Sequence, residues 1–254
     1  MNLDALWHDL ECGGYIEDLP LWRALARNVG GVVLDVGAGT GRVTIDLAAS
    51  GVEVVAMDVA APLLQALACR AAGLPVETVL ADAREFTLRR RFSLMLVAMQ
   101  TLQLLGGAGG RAAFLRRALA HLEPGGLLAA AVADATGCFD EEHPLPPRPD
   151  ACDIAGLRYS TQLLEVIDEG DRAVIHRRRE ISGPAGRHEA HDVLLSLDRI
   201  SADQVAQEAI KLGFIGEPHL FVPETDEYLG STVVVLRAPS KARSGRQAAL
   251  AIAT

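Results

Sequence analysis

Four cysteines are all that 254 residues contain, and Cys12, Cys69, Cys138 and Cys152 show no short paired spacing. That leaves neither a disulfide framework nor a structural zinc site, and predicts reduced, mostly buried thiols. Long apolar runs are also missing. No stretch approaches the roughly 18 residues that a membrane-spanning helix needs, and Met1-Asn2-Leu3-Asp4 has neither a basic nor an apolar leader-like region. A soluble, cytoplasmic protein without membrane partners is expected. Basic charge is in deficit: 24 Lys and Arg stand against 33 Asp and Glu, a net charge of −9. A phosphate backbone calls for clustered cations, so nucleic acid is excluded as a partner. The basic run Arg177-Arg178-Arg179 alternates faces on a predicted strand and reads as a solvated face. Internal repeats are absent, and the scattered histidines form no metal site.

Half of the residues are apolar, enough for one sizeable core. Apolar runs at Val32 to Val36, Glu53 to Met57, Val76 to Leu80, Leu94 to Ala98 and Leu127 to Val132 read as strands. Between them, Arg42 to Ala49, the stretch with Leu63, Leu64, Leu67, Ala68 and Ala71, and residues 111 to 122 carry helical apolar faces. This alternation predicts a doubly wound, mainly parallel sheet. The pattern changes after Ala133. Phe139 to Asp150, rich in proline and acids, reads as a loop or lid. Three strand-like runs follow, Leu157 to Ile167, Arg172 to Ile181 and His188 to Leu197, separated by turn sequences and suggesting an antiparallel meander. Ser201 then caps a helix carrying Val205, Ala206, Ala209 and Ile210, and Phe214-Ile215 and Ser231 to Leu236 supply the last two strands. Residues 1–238 are expected to form one domain, with 134–200 as a lid and antiparallel insertion, and 239–254 as a disordered tail.

The most informative segment is Val33-Leu34-Asp35-Val36-Gly37-Ala38-Gly39-Thr40-Gly41, where a buried strand runs into a turn with three alternate glycines. Glycine is required where the backbone takes positive φ or approaches a ligand closely. A dinucleotide fingerprint needs glycine at the first, third and sixth positions, and the sixth is Arg42. Asp35 precedes the turn, Asp58 ends the second strand and Asp82 follows the third. Asp35 orients the turn or reaches a ligand ammonium. Asp58 accepts from ribose hydroxyls or caps the next helix. Asp82, with the Ala83 N–H, meets an adenine edge or is a solvated loop acid.

Taken in order, Asp35 with Gly37-Ala38-Gly39-Thr40-Gly41, Asp58, Val79 to Phe86, and His121-Leu122-Glu123-Pro124-Gly125-Gly126 resemble the motifs of the class I S-adenosylmethionine-dependent methyltransferases. The resemblance covers about residues 15 to 133 and continues at Leu212-Gly213-Phe214 and Ser231 to Leu236. It implies an α/β fold, a doubly wound seven-stranded, mainly parallel Rossmann-like sheet with an inserted antiparallel β meander. Implied too is the cofactor S-adenosylmethionine, with S-adenosylhomocysteine as product, contacted by Tyr15, Asp35, Gly37, Ala38, Gly39, Asp58, Val59, Asp82, Ala83, Met99 and Gln100. The run Met99-Gln100-Thr101-Leu102-Gln103-Leu104 lacks the Asn/Asp-Pro-Pro-aromatic pattern of nucleobase enzymes and looks like small-molecule members, similar to glycine and sugar N-methyltransferases. Leu104 stands where such members often have histidine.

The expected reaction is methyl transfer to oxygen or nitrogen of a small metabolite, driven mainly by positioning. The alternatives are an S-adenosylmethionine-binding regulator or non-methylating enzyme and, less favoured because of Arg42, an NAD-dependent oxidoreductase. His191 shares a strand face with Val193, Leu195 and Leu197 and is expected to point to the sheet or pocket, as a base or a structural histidine. His143 in the lid is the other base candidate. Trp7, Tyr15, Gln103, His143 and His191 are expected to line the acceptor site, with packing of the first helix as the other role for Trp7. The protein is expected to be a monomer or a homodimer, with no metal.

Overall fold

The computed structural model describes residues 2–133, 148–225 and 228–240. Two helices, α1 (Leu3–Cys12) and α2 (Leu19–Val29), precede the sheet. The Asn2 side chain caps α1 by accepting from the Ala5 N–H, and α2 takes Pro20 in its first turn and ends at Gly30 with φ 68°. There follow β1 (Val33–Val36), α3 (Arg42–Ala49), β2 (Val54–Asp58), α4 (Ala61–Arg70), β3 (Val76–Leu80), β4 (Phe92–Val97), α5 (Gly107–His121) and β5 (Leu122–Val132). After the insertion come α6 (Ala202–Lys211), β10 (Ile215–Gly216), β11 (Leu220–Val222) and β12 (Ser231–Arg237). The main sheet has the order β10-β12-β5-β4-β1-β2-β3, with β11 paired to β12. β1 through β5 pair in parallel, and β12 lies antiparallel to β5 with Val234 opposite Ala130.

The strands are apolar on both faces because both faces are covered. Leu34, Val36, Met95 and Val97 pack with Phe114, Leu115 and Ala118 of α5 on one side. Val33, Leu94 and Leu96 pack with Trp22 of α2 and Leu47 of α3 on the other. Alternation along each strand thus divides its side chains between two helical layers. Fully burying each such Leu or Phe stabilises the fold by roughly 1.5–3 kcal/mol.

Four strands, β6 (Asp150–Ile154), β7 (Leu157–Asp168), β8 (Arg172–Ser182) and β9 (His188–Asp198), form a separate antiparallel sheet in that order. The sequence suggested three. β6 starts where proline-rich chain ends, and its five residues show no clear alternation. Towards the C-terminus the two expected strands form as β10 and β12, and a third, the three-residue β11, pairs with β12 between them in sequence. α5 begins at Gly107 rather than near residue 111, because its opening Gly-Ala-Gly-Gly has poor helix propensity yet still completes the first turn. Among the described cysteines, Cys69 is exposed and Cys12 and Cys152 are half-buried. That corrects the expectation of buried thiols: Cys69 lies on the outer face of α4, whose buried residues are Leu64 and Leu67.

Candidate functional site

In a doubly wound sheet the crevice opens beyond the strand C-termini where the order reverses. Here that point lies between β1 and β4. β1 ends in the glycine turn, with Gly37, Gly39 and Gly41 at φ 72°, 55° and 99°. A Cβ at Gly37 would run into Thr101, and one at Gly39 into the imidazole of His8. The glycines therefore serve both conformation and close approach. Two residues past the end of β4 stands Met99, a non-glycine residue at φ 52°, a conformation that places strain at the lip of the crevice.

Asp58, at the end of β2, accepts from the Gly39 N–H and the Ala60 N–H, both at 2.8 Å. It thereby ties the turn to the start of α4, while each carboxylate oxygen keeps a lone pair. Beside it Val59 is 71% exposed, an apolar side chain left uncovered. Asp35 is buried beneath the turn and accepts from the Thr44 hydroxyl at 2.6 Å. Burial pushes its carboxyl up to about 6. Of its two sequence roles it fills the bracing one. Asp82 accepts from the Arg84 N–H at 2.8 Å and pairs with the Arg84 guanidinium, whose bonds hold its carboxyl below the usual range. Ala83 beside it is half-buried.

The first two helices close the other side of the turn. Arg42 at the head of α3 pairs with buried Asp18 and donates to the Tyr15 carbonyl at 2.7 Å. Tyr15 is buried, its ring 5.1 Å from that of Tyr228 at a tilt of 50° and with Arg42 over it, and burial raises its hydroxyl pKa. His8 rests on Gly39 with Nδ1 3.1 Å from Thr40 Oγ1, and Thr40 Oγ1 donates to Asp9 at 2.7 Å. Asp9 is paired in turn with Arg70 of α4. Burial lowers the His8 pKa against the pull of Asp9, Asp58 and Glu11. His8 was missed in the sequence because it lies 31 positions from Gly39 and has no local motif around it.

The insertion sheet meets α1 on one face. Trp7 packs edge-on against Tyr159 at 5.8 Å, and Arg179 lies over its ring while pairing with Glu11 at 2.7 Å. Trp7, expected either to contact an acceptor or to pack the first helix, is buried in a cluster with Tyr159 and Ile181 that fastens α1 to this sheet. Gln103, also expected to face substrate, is 2% exposed. Its amide donates to the Ala133 and Asp198 carbonyls at 2.9 and 3.0 Å and accepts from the Ala133 N–H. With its donors used, it latches β9 to the end of β5. His191 lies opposite Arg179, on the face turned to α1, yet it is exposed because β9 is the edge strand. His143 lies outside the described residues. The arginine run is not uniformly solvated: Arg178 faces outward to Asp192, Arg179 is held by Glu11, and Arg177 is half-buried on the inward face. Gln100 is half-buried beside Met99, and Leu104 is 47% exposed.

Arg111, buried, pairs with Asp198 at 2.8 Å and with Glu208 at 2.9 Å, joining the end of β9 to α5 and α6. His121 accepts from the Leu88 N–H through Nε2 and donates from Nδ1 to the Arg117 carbonyl, a structural histidine. A cavity of about 510 Å³ lies beside Ala133, Arg199 and Thr232, and one of about 420 Å³ beside Asp9, Thr40 and Arg70. Among the described residues no group of His, Cys, Asp and Glu is placed to hold a metal, and no helix is long and apolar enough to cross a membrane.

Comparison with known proteins matches residues 33–126 to a family described as "Methyltransferase domain". A curated relative, the cypemycin N-terminal methyltransferase of a Streptomyces species, is 36% identical over 109 residues, 42% of this chain and 44% of that protein. The match thus spans less than half of that relative. Among solved structures, the sugar N-methyltransferase KedS8 of a Streptoalloteichus species is similar with a TM-score of 0.72 at 18% identity, over 92% of both chains. An S-adenosylmethionine-dependent methyltransferase of Clostridium acetobutylicum has a TM-score of 0.70 at 12% identity, over 92% of this chain and 97% of its own. The fold is that of these enzymes.

Proposed function

We propose that this chain, whose residues 33–126 are a methyltransferase domain, transfers a methyl group from S-adenosylmethionine to a small metabolite. The observation that carries the proposal is the glycine turn at the switch point, with three left-handed glycines, with Asp58 at the end of β2 and with Asp82 two residues past β3. The crevice fits this donor by its own features. The glycine turn runs beneath Thr101 and His8, which pack against Gly37 and Gly39, Asp58 keeps lone pairs for ribose hydroxyls, and exposed Val59 with half-buried Asp82 and Ala83 follow on the next strand ends to suit a flat, amine-bearing ring. Tyr15, Met99 and Gln100 border the remaining side.

When bound, S-adenosylmethionine supplies an electrophilic methyl on a sulfonium. The contribution of the chain is positional. Holding donor and acceptor in line accounts for about 7–11 kcal/mol of barrier, so a dedicated base is not required. Nitrogen is the favoured acceptor atom, because a neutral amine needs no deprotonation before attack, and the described site shows no base with an orienting partner on its insertion side. The cypemycin and sugar N-methyltransferase relatives support the same choice. A nicotinamide cofactor is disfavoured by Arg42, committed to Asp18 where a dinucleotide fingerprint needs its last glycine.

Calorimetry tests the reading. The wild type is expected to bind S-adenosylmethionine and S-adenosylhomocysteine. Gly39→Val, by forcing a β-branched residue into φ 55° and against His8, is expected to weaken both roughly 100-fold, about 3 kcal/mol. No heat with the folded wild type would refute the proposal. Binding without methylation of any member of a small-amine library, followed by mass spectrometry, would favour a non-methylating protein.

A further inference from the structure

The hydrogen-bond chain above the glycine turn determines which nitrogen of His8 carries the proton. Asp9 faces Arg70 as an ionised carboxylate, with Nη1 to Oδ1 at 2.9 Å, and can only accept. The Thr40 hydroxyl has one hydrogen and donates it to Asp9 at 2.7 Å. Thr40 Oγ1 can therefore only accept from His8, so the hydrogen between them sits on Nδ1, 3.1 Å away. In the neutral ring Nε2 is then left with a lone pair.

That lone pair has no protein partner among the described hydrogen bonds, and it lies against Gly39. The nearest backbone donor, the Gly39 N–H, is already given to Asp58. The charged groups facing the ring are Asp9 and Glu11 from α1, Asp58 from the end of β2 and Arg42 from α3. Asp9 is paired with Arg70 of α4, Glu11 with Arg179 and Arg42 with Asp18, so among the described ion pairs Asp58 is the charge left over, and it suits a positively charged ligand better than an anion. Burial keeps the imidazole neutral despite those acids.

We propose that His8 is a positioning residue whose neutral Nε2 accepts a hydrogen bond from an N–H or O–H group of the bound S-adenosyl ligand. This rests on the function proposed above. Protonation turns Nε2 from acceptor into donor and sets a second positive charge beside a ligand that already carries a sulfonium. S-adenosylhomocysteine has the same donors and no sulfonium charge. Acidification therefore weakens S-adenosylmethionine more than S-adenosylhomocysteine, and the two ligands separate the lost acceptor from the added repulsion.

The test is calorimetric binding of each ligand from about pH 5.5 to 8, with urea unfolding as a check that each variant is folded. His8→Gln keeps an acceptor oxygen near the position of Nε2 and does not titrate. It is expected to bind within a few-fold of wild type at the upper pH and to lose the acid-dependent gap between the two ligands. His8→Leu removes the acceptor and is expected to weaken both ligands about 10-fold across the range, the scale of one hydrogen bond. Wild-type affinity in folded His8→Leu, or an unchanged ligand gap at low pH in His8→Gln, would overturn the role of His8 while leaving the functional reading intact. Absence of binding by the wild type would overturn both.

Discussion

The two sheets of this molecule are built on opposite terms. In the main sheet all six residues of β4 are buried and β1 has no exposed side chain, whereas β9 of the insertion sheet buries only its last two residues, Leu197 and Asp198. The main sheet is covered on both faces by helices and carries the glycine turn as a rigid floor. Among the described residues the insertion sheet is fastened at two places: to α1 through Trp7, Tyr159, Glu11 and Arg179, and to the helical layer and the end of β5 through Asp198, Arg111 and Gln103. Between these fastenings its inward face carries half-buried Arg177 and Val193 and exposed His191. Under the proposed function the buried floor is the donor side and the wall the acceptor side, whose surface side chains tolerate change without loss of the fold.

Removing the fastening at β9 is the sharpest way to break this comparison. Arg111→Ala leaves Asp198 and Glu208 without their partner in a buried setting and is expected to cost about 3–5 kcal/mol, measured by urea unfolding. A loss confined to the insertion sheet, visible as local hydrogen exchange with the main sheet still protected, would show that the two sheets unfold separately. A smaller effect belongs to the floor. Asp35 has a native pKa of about 6, raised by burial from 3.8, so the folded state holds a proton that the unfolded chain releases. Its stabilising contribution is complete below about pH 4 and is lost as pH rises through about 6, on the order of 3 kcal/mol in total. Asp35→Asn is expected to remove that slope. If the stability difference between wild type and variant is flat from about pH 4 to 7, the carboxyl is not held in a desolvated site. Least affected is the outer face of the wall: Arg178→Ala breaks a pair with Asp192 on solvent-facing β8 and β9, and no measurable shift in thermal midpoint is expected. A clear shift there would mean that the outer face is covered.

Legibility in the sequence followed the same division. Apolar runs and helical spacing placed β1 to β5 and their helices because burial on both faces leaves a continuous pattern. Asp58 and the three glycines were readable since strand-end acids and left-handed turns have local sequence requirements. The insertion side was harder. Gln103 looked like a polar group bound for substrate, and its use as a latch depends on carbonyls at Ala133 and Asp198, 30 and 95 positions away. Trp7 similarly takes its role from Tyr159, across the chain.

By itself the sequence determined the doubly wound sheet, the glycine turn and the acids that follow it, because each rests on periodicity or on a backbone conformation that only certain residues adopt. The tertiary structure alone decided that Asp35 faces inward to Thr44, that Trp7 and Gln103 hold elements together, and that the His8 imidazole stands over Gly39. Those roles are set by which groups meet after distant segments pack, and side-chain chemistry alone does not specify that meeting.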